Sequence, residues 1–142
     1  MAMTGLDSFD TSVQKSEKWL RELMEKLEIN DRHRAYGILR TVLLALRDQL
    51  TLEESANLSA QLPLVIRGVY YDRWKPSAVP MKIRSREQFV DRVETEMKDL
   101  PGTDTEQAIR AVLQVLSNHV TEGELRDSKS ILPDELKGLF PF

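Results

Sequence analysis

Two Leu-Pro steps, Leu62-Pro63 and Leu132-Pro133, stand 70 residues apart, the difference between 133 and 63. That one offset aligns the chain with itself without a gap. Trp19 falls on Phe89, Leu20 on Val90, Leu23 on Val93 and Leu27 on Met97. The run ILRTVLLAL at 38–46 falls on AIRAVLQVL at 108–116, which sets Arg40 on Arg110. Thr51 and Glu54 fall on Thr121 and Glu124, Glu17 on Glu87, Gly68 on Gly138 and Tyr70 on Phe140. Apolar phase kept through successive elements marks an internal repeat, whose copies bury their apolar faces against each other. The chain reads as a single domain, 1–142, with repeat one at 11–72, a connector at 73–84 and repeat two at 85–142.

Each copy is expected to be helical, giving an all-α bundle of two four-helix repeats about a pseudo-twofold axis. The first helix is expected over 12–28 and 86–98, opened by the capping boxes Thr11-x-x-Gln14 and Ser85-x-x-Gln88. The second is expected over 31–50 and 104–120. Ala35, Ile38, Leu39, Val42, Leu43, Ala45, Leu46 and Leu50 cover more than half its circumference, which places it centrally. Thr103-x-x-Glu106 is a further capping box before its second copy. A short third helix starts at Thr51 or Thr121, whose hydroxyl accepts a free backbone N–H. Pro63 and Pro133 then turn a sharp corner, because proline ends one helix and starts another without needing its missing donor. Gly68 and Gly138 follow inside the fourth helix, where glycine is costly. Their recurrence predicts a second helix passing too close for a Cβ.

Composition removes several kinds of chemistry. With no cysteine, disulfides, thiolate metal sites and thiol nucleophiles are excluded. The six glycines never form a phosphate-cradling loop, and there is no Gly-x-Ser-x-Gly elbow. The only histidines, His33 and His119, lie outside the repeated pattern and lack the Glu-x-x-His spacing of helical metal sites. No enzyme, metal or cofactor is therefore expected. The N-terminal stretch has no basic start followed by an apolar run, and no apolar run reaches the roughly 18 residues of a membrane span. A cytoplasmic setting, without membrane association, is the resulting expectation.

Charge is distributed unevenly behind a net −3. Residues 1–72 carry nine basic and eleven acidic side chains, and residues 87–142 carry six basic and twelve acidic. Between them Arg73, Lys75, Lys82, Arg84 and Arg86 face no acid in sequence, next to Trp74. Cations interleaved with an aromatic suit a polyanion. The acidic flanks and a pI near 5.5 oppose one, so the connector is expected to complement its own acidic helices rather than bind nucleic acid. Adjacent helical residues point about 100° apart, so Tyr70 and Tyr71 cannot both fill the core. Tyr71 with Trp74, Lys75 and Arg84 is the candidate partner-binding patch, for a second copy or another protein. Arg40 and Arg110 interrupt the most apolar helices. Each is expected to pair with an acid of its own half, Glu17, Glu87, Glu54 and Glu124 being available, or else to receive a ligand carboxylate.

The stretch AYGILRTVLLALRDQLTLEESANLSAQLPLVIRGVYYDRW, together with SREQFVDRV and LPDELKGLF, resembles the bacterial domain-of-unknown-function family 2267 from about Ser12 to Phe140. The resemblance implies a compact all-α fold, with an orthogonal, globin-like arrangement, in a bacterial cytoplasm, and no reaction or ligand. Some ten residues before the first helix depart from it. The resulting expectation is a non-enzymatic protein-interaction or scaffold module. The alternative is a small-molecule binder with an apolar cavity between the repeats.

Overall fold

The computed structural model describes residues 3–142 and is all-α. Eight α-helices are present among those residues: α1 Asp7–Leu27, α2 Arg32–Asp48, α3 Leu52–Ser59, α4 Leu64–Tyr71, α5 Arg86–Glu96, α6 Thr105–His119, α7 Glu122–Ile131 and α8 Asp134–Lys137. A single 3-10 turn, Pro76–Ala78, lies in the connector.

The centre is made by α2 and α6, which pack on each other and carry most of the fully enclosed aliphatic side chains. Around them the outer helices cross over: α1 lies on both α2 and α6, and so does α5. Farther out α3 packs on α7, α4 on α1 and α2, and α8 on α5. Trp19, Leu23, Ile38, Leu43, Ile109 and Leu116 are the large side chains at the heart of this packing. Burial of that apolar surface, rather than intrinsic propensity, is what holds helices of this length.

Local chemistry sets most of the boundaries. Thr51 and Thr121 cap α3 and α7 by accepting the N–H groups of Glu54 and Glu124, and Ser85 caps α5 through Gln88. Pro63 and Pro133 stand at the N-caps of α4 and α8 with nearly the same backbone angles, φ −58°, ψ 150° and φ −59°, ψ 151°.

Two starts differ from the sequence expectation. Helix α1 begins at Asp7, leaving Thr11 inside it without a capping role. The cause is Asp10, whose carboxylate accepts the N–H groups of Met3 and Thr4 and the Thr4 hydroxyl, drawing the preceding residues onto the helix. Those bonds, the backbone N–H of Thr4 foremost, hold the Asp10 carboxyl below its usual range. Helix α6 is capped by Asp104, not Thr103. The Thr103 hydroxyl is occupied by the Leu100 carbonyl and by Arg34, which reaches over from α2 and also bonds the Pro101 carbonyl.

The glycine expectation is overturned. A Cβ on Gly68 meets nothing within 4 Å, and one on Gly138 has Arg86 at 3.6 Å and the Glu135 carbonyl at 3.9 Å, ordinary contact distances. The tight approach is at Gly37 on α2, where a Cβ stands 3.0 Å from Leu100. Gly68→Ala is accordingly expected to stabilise the protein by about 0.5–1 kcal/mol, since the exposed site loses only the entropic penalty of glycine. A urea titration reads this directly, and destabilisation by Gly68→Ala contradicts it.

Candidate functional site

Helix α4 sorts its adjacent tyrosines. Tyr70 is fully enclosed and its phenol donates to Ser55 at 2.9 Å. Burial pushes that phenol well above the usual tyrosine range. Tyr71 is half-buried, its hydroxyl 2.6 Å from the Ser59 hydroxyl and donating to the Ser55 carbonyl at 3.3 Å. Trp74 tilts against Tyr71, ring centres 5.0 Å apart, and is itself half-buried. Its indole N–H is enclosed without a partner among the described residues. The two aromatics are thus brought together as a ledge tied to α3, rather than as a freely exposed patch.

Lys75 follows on the exposed connector, and Arg84 lies beyond the point where the Met81 N–H donates to the Asp48 carbonyl at 2.6 Å. The connector does not use its cations internally. Arg73, Lys75, Lys82 and Arg84 are exposed and have no ion-pair partner among the described residues; only Arg86 finds one, Glu106 at 3.5 Å. The expected complementation by the chain's own acidic helices is therefore confined to that residue.

Arg40 pairs with Asp72 at 2.9 Å, just beyond α4. Arg110 donates to the Gly138 carbonyl at 2.9 Å, just beyond α8, and lies 3.4 Å from Glu106. Each arginine meets an acid of its own half, but not the acids expected. Glu17 instead faces Arg32 at 3.8 Å, and Glu87 sits exposed in the first turn of α5. Arg40 reaches the chain just beyond α4, and Arg110 reaches the chain just beyond α8 while its acid lies one turn back on its own helix. Arg40 and Arg110 act here as ties.

Sequence reasoning missed a stronger tie. Arg47, only 4% exposed, donates to the Tyr70 and Asp72 carbonyls at 2.9 and 2.8 Å and pairs with Asp48 at 2.8 Å. Asp48 in turn takes Arg92 at 2.6 Å. No repeat signal marks this group, because the offset places Ser117 at the matching position. Also missed was the partner of His119, which stacks on Trp19 at 5.0 Å and meets Glu22 at 2.6 Å, joining α6 to α1. Burial opposes the Glu22 charge, but bonds from Asn118 and His119 outweigh it and hold the carboxyl below its usual range.

A groove of about 470 Å³ opens between α1 and the Pro63 corner, lined by Lys15, Lys18, Trp19, Gln61, Arg67 and His119 among others. Its polar groups are mostly spent. Arg67 donates to the Ser59, Ala60 and Leu62 carbonyls, Gln61 bonds Thr121, and His119 holds Glu22. Among the described residues no cluster of three or more His, Asp or Glu side chains is placed to hold a metal ion. Among the described residues no helix is long and apolar enough to cross a membrane.

These features define a class, an all-α helical domain in which Arg40, Arg47, Arg110 and His119 tie segments together and the connector cations Arg73, Lys75, Lys82 and Arg84 stay unpaired among the described residues. The chain belongs to the family of uncharacterized conserved proteins DUF2267, whose model matches residues 16–139. No curated protein matches the chain.

Proposed function

We propose that this domain is a non-enzymatic protein-interaction module of the cytoplasm, docking an acidic protein surface along its connector. The observation that carries the reading is the strip of four exposed, unpaired cations, Arg73, Lys75, Lys82 and Arg84, beside the Tyr71–Trp74 ledge. A half-exposed aromatic pair supplies an apolar anchor, and exposed charge steers the encounter and fixes register. The occupant closest at hand is a second copy, because residues 87–142 carry twelve acids against six bases. Two tandem repeats joined by 73–84 fit this reading, since the connector then lies outside both copies. The matching backbone at Pro63 and Pro133 supports the duplication. A ligand cavity between the repeats finds less support. The apolar void among Val42, Leu46, Phe89, Ile109 and Leu113 is about 10 Å³, at the limit for a single water.

Sedimentation velocity at about 50 mM and about 500 mM salt tests the proposal, because exposed charge is screened across that range. Concentration-dependent association is expected at low salt only, and is lost in Lys75→Glu/Arg84→Glu. A monomer at both salts overturns self-association. Binding of duplex DNA by the wild type at low salt reassigns the strip to a polyanion.

A further inference from the structure

We infer that Glu54, Ser128 and Glu124 form a proton-held clasp between α3 and α7, closed while one proton is shared between the two carboxyls and loosened when it leaves. The two glutamates stand at the same place in their helices, each three residues after the capping threonine and 70 residues apart. Neither side chain closes a capping box. They turn instead to Ser128, whose fully buried hydroxyl oxygen lies 3.0 Å from Glu54 Oε1 and 3.2 Å from Glu124 Oε2.

A serine hydroxyl carries one proton and donates to one acceptor at a time. With both carboxyls ionised, one takes that proton, while the other faces oxygen lone pairs and a like charge. A single added proton removes the conflict: the neutral carboxyl donates, to the serine oxygen or to its partner, and the hydroxyl donates onward to the carboxylate. Two carboxyls sharing a site behave as one coupled acid for this reason.

The surroundings offer no alternative counter-charge. Neither glutamate has an ion-pair partner among the described residues. On α7 the nearby Asp127 adds negative charge. On α3 the neighbouring Ser55 is neutral, and so is the Tyr70 phenol that reaches it from α4. Burial pushes the Glu124 carboxyl up to about 7, with the facing Glu54 the next cause. Behind the clasp Leu58 and Leu125 are enclosed, and α3 and α7 are each other's principal packing partner outside their own chain neighbours.

The direction with pH follows. The folded chain keeps a proton that the unfolded chain releases near 4.5, so the clasp's contribution is complete below about 4.5 and is lost as pH rises through about 7. Helix α3 also supplies Ser55 and Ser59 to Tyr70 and Tyr71, so the clasp lies beside the aromatic ledge without depending on any role for it.

Amide hydrogen exchange of the full chain, corrected for intrinsic rates, tests the clasp between about pH 5.5 and about pH 8. Protection in α3 and α7 is expected to fall about tenfold more than in α2 and α6, a discount from the full shift because Glu124 is partly solvated. Glu124→Gln, neutral at every pH, is expected to abolish that differential fall. A carboxyl-carbon NMR titration of the wild type is independent of any variant, and a midpoint near 7 for the Glu124 signal supports the clasp. A Glu124 signal titrating near 4.5 overturns it, as does an unchanged pH slope in Glu124→Gln.

Discussion

Trp19→Ala is expected to destabilise the protein by about 3–5 kcal/mol, the range for truncating a large buried aromatic. The indole is 2% exposed and fills the space between α1 and α6. It also forms one face of the stack with His119, whose ring is 5.0 Å away and inclined by 18°. Its removal leaves a cavity and takes the support from a histidine that binds Glu22 on the same helix as Trp19. For a chain of this length the loss corresponds to a fall in Tm of roughly 10–20 °C. Trp19→Phe supplies the control. The 70-residue offset sets Phe89 against this position, and a smaller ring is expected to cost roughly half as much. Urea unfolding monitored by circular dichroism measures both. A loss below about 1 kcal/mol for Trp19→Ala contradicts the assignment of this ring to the core.

Arg47→Ala is expected to cost about 3–5 kcal/mol, the penalty for breaking a buried, hydrogen-bonded charge pair. The terminal carbonyls of a helix have no partner within it, and here the Arg47 guanidinium supplies one for Tyr70 and for the Asp72 carbonyl that follows. Its Nε simultaneously holds Asp48, so truncation leaves two carbonyls and part of a carboxylate unsatisfied. Arg92 continues to neutralise Asp48, which limits the loss. Arg47→Lys retains charge without the planar fork and is expected to recover less than half of the stability. Thermal melts give the size of the effect, and hydrogen exchange gives its place. Protection is expected to fall first in α4 and around Trp74. Uniform loss over all helices contradicts a local tie.

The features legible in the sequence are those decided within about one helical turn. Thr51, Thr121 and Ser85 cap because a short hydroxyl reaches the N–H three residues ahead. Pro63 and Pro133 turn corners because their rings fix φ wherever they occur. The apolar stripes of α2 and α6 announce central helices for the same reason, since periodicity alone sets which faces are hidden. Short-range reasoning fails where a second segment competes. Asp10 recruited residues ahead of the expected start of α1, and Arg34 claimed the Thr103 hydroxyl, leaving the cap to Asp104. Gly68 faces open space although its recurrence suggested crowding, because a repeated glycine records a shared pattern and not a measured distance.

Of the candidate site, the cations of the connector and the pairing of Tyr71 with Trp74 follow from their closeness along the chain. That the cations stay unpaired does not, because it depends on the path the connector takes over the helices. By itself the sequence determined helical phase, caps, corners and the uneven charge, all properties of residues and their near neighbours. Only the tertiary structure decided that Arg47 is buried, that Arg40 and Arg110 tie chain ends, and that Glu54 meets Glu124 across Ser128. Those contacts join side chains up to 74 residues apart, and they depend on how each helix is turned about its axis. A rotation of 100° per residue converts a small change in packing into a different partner.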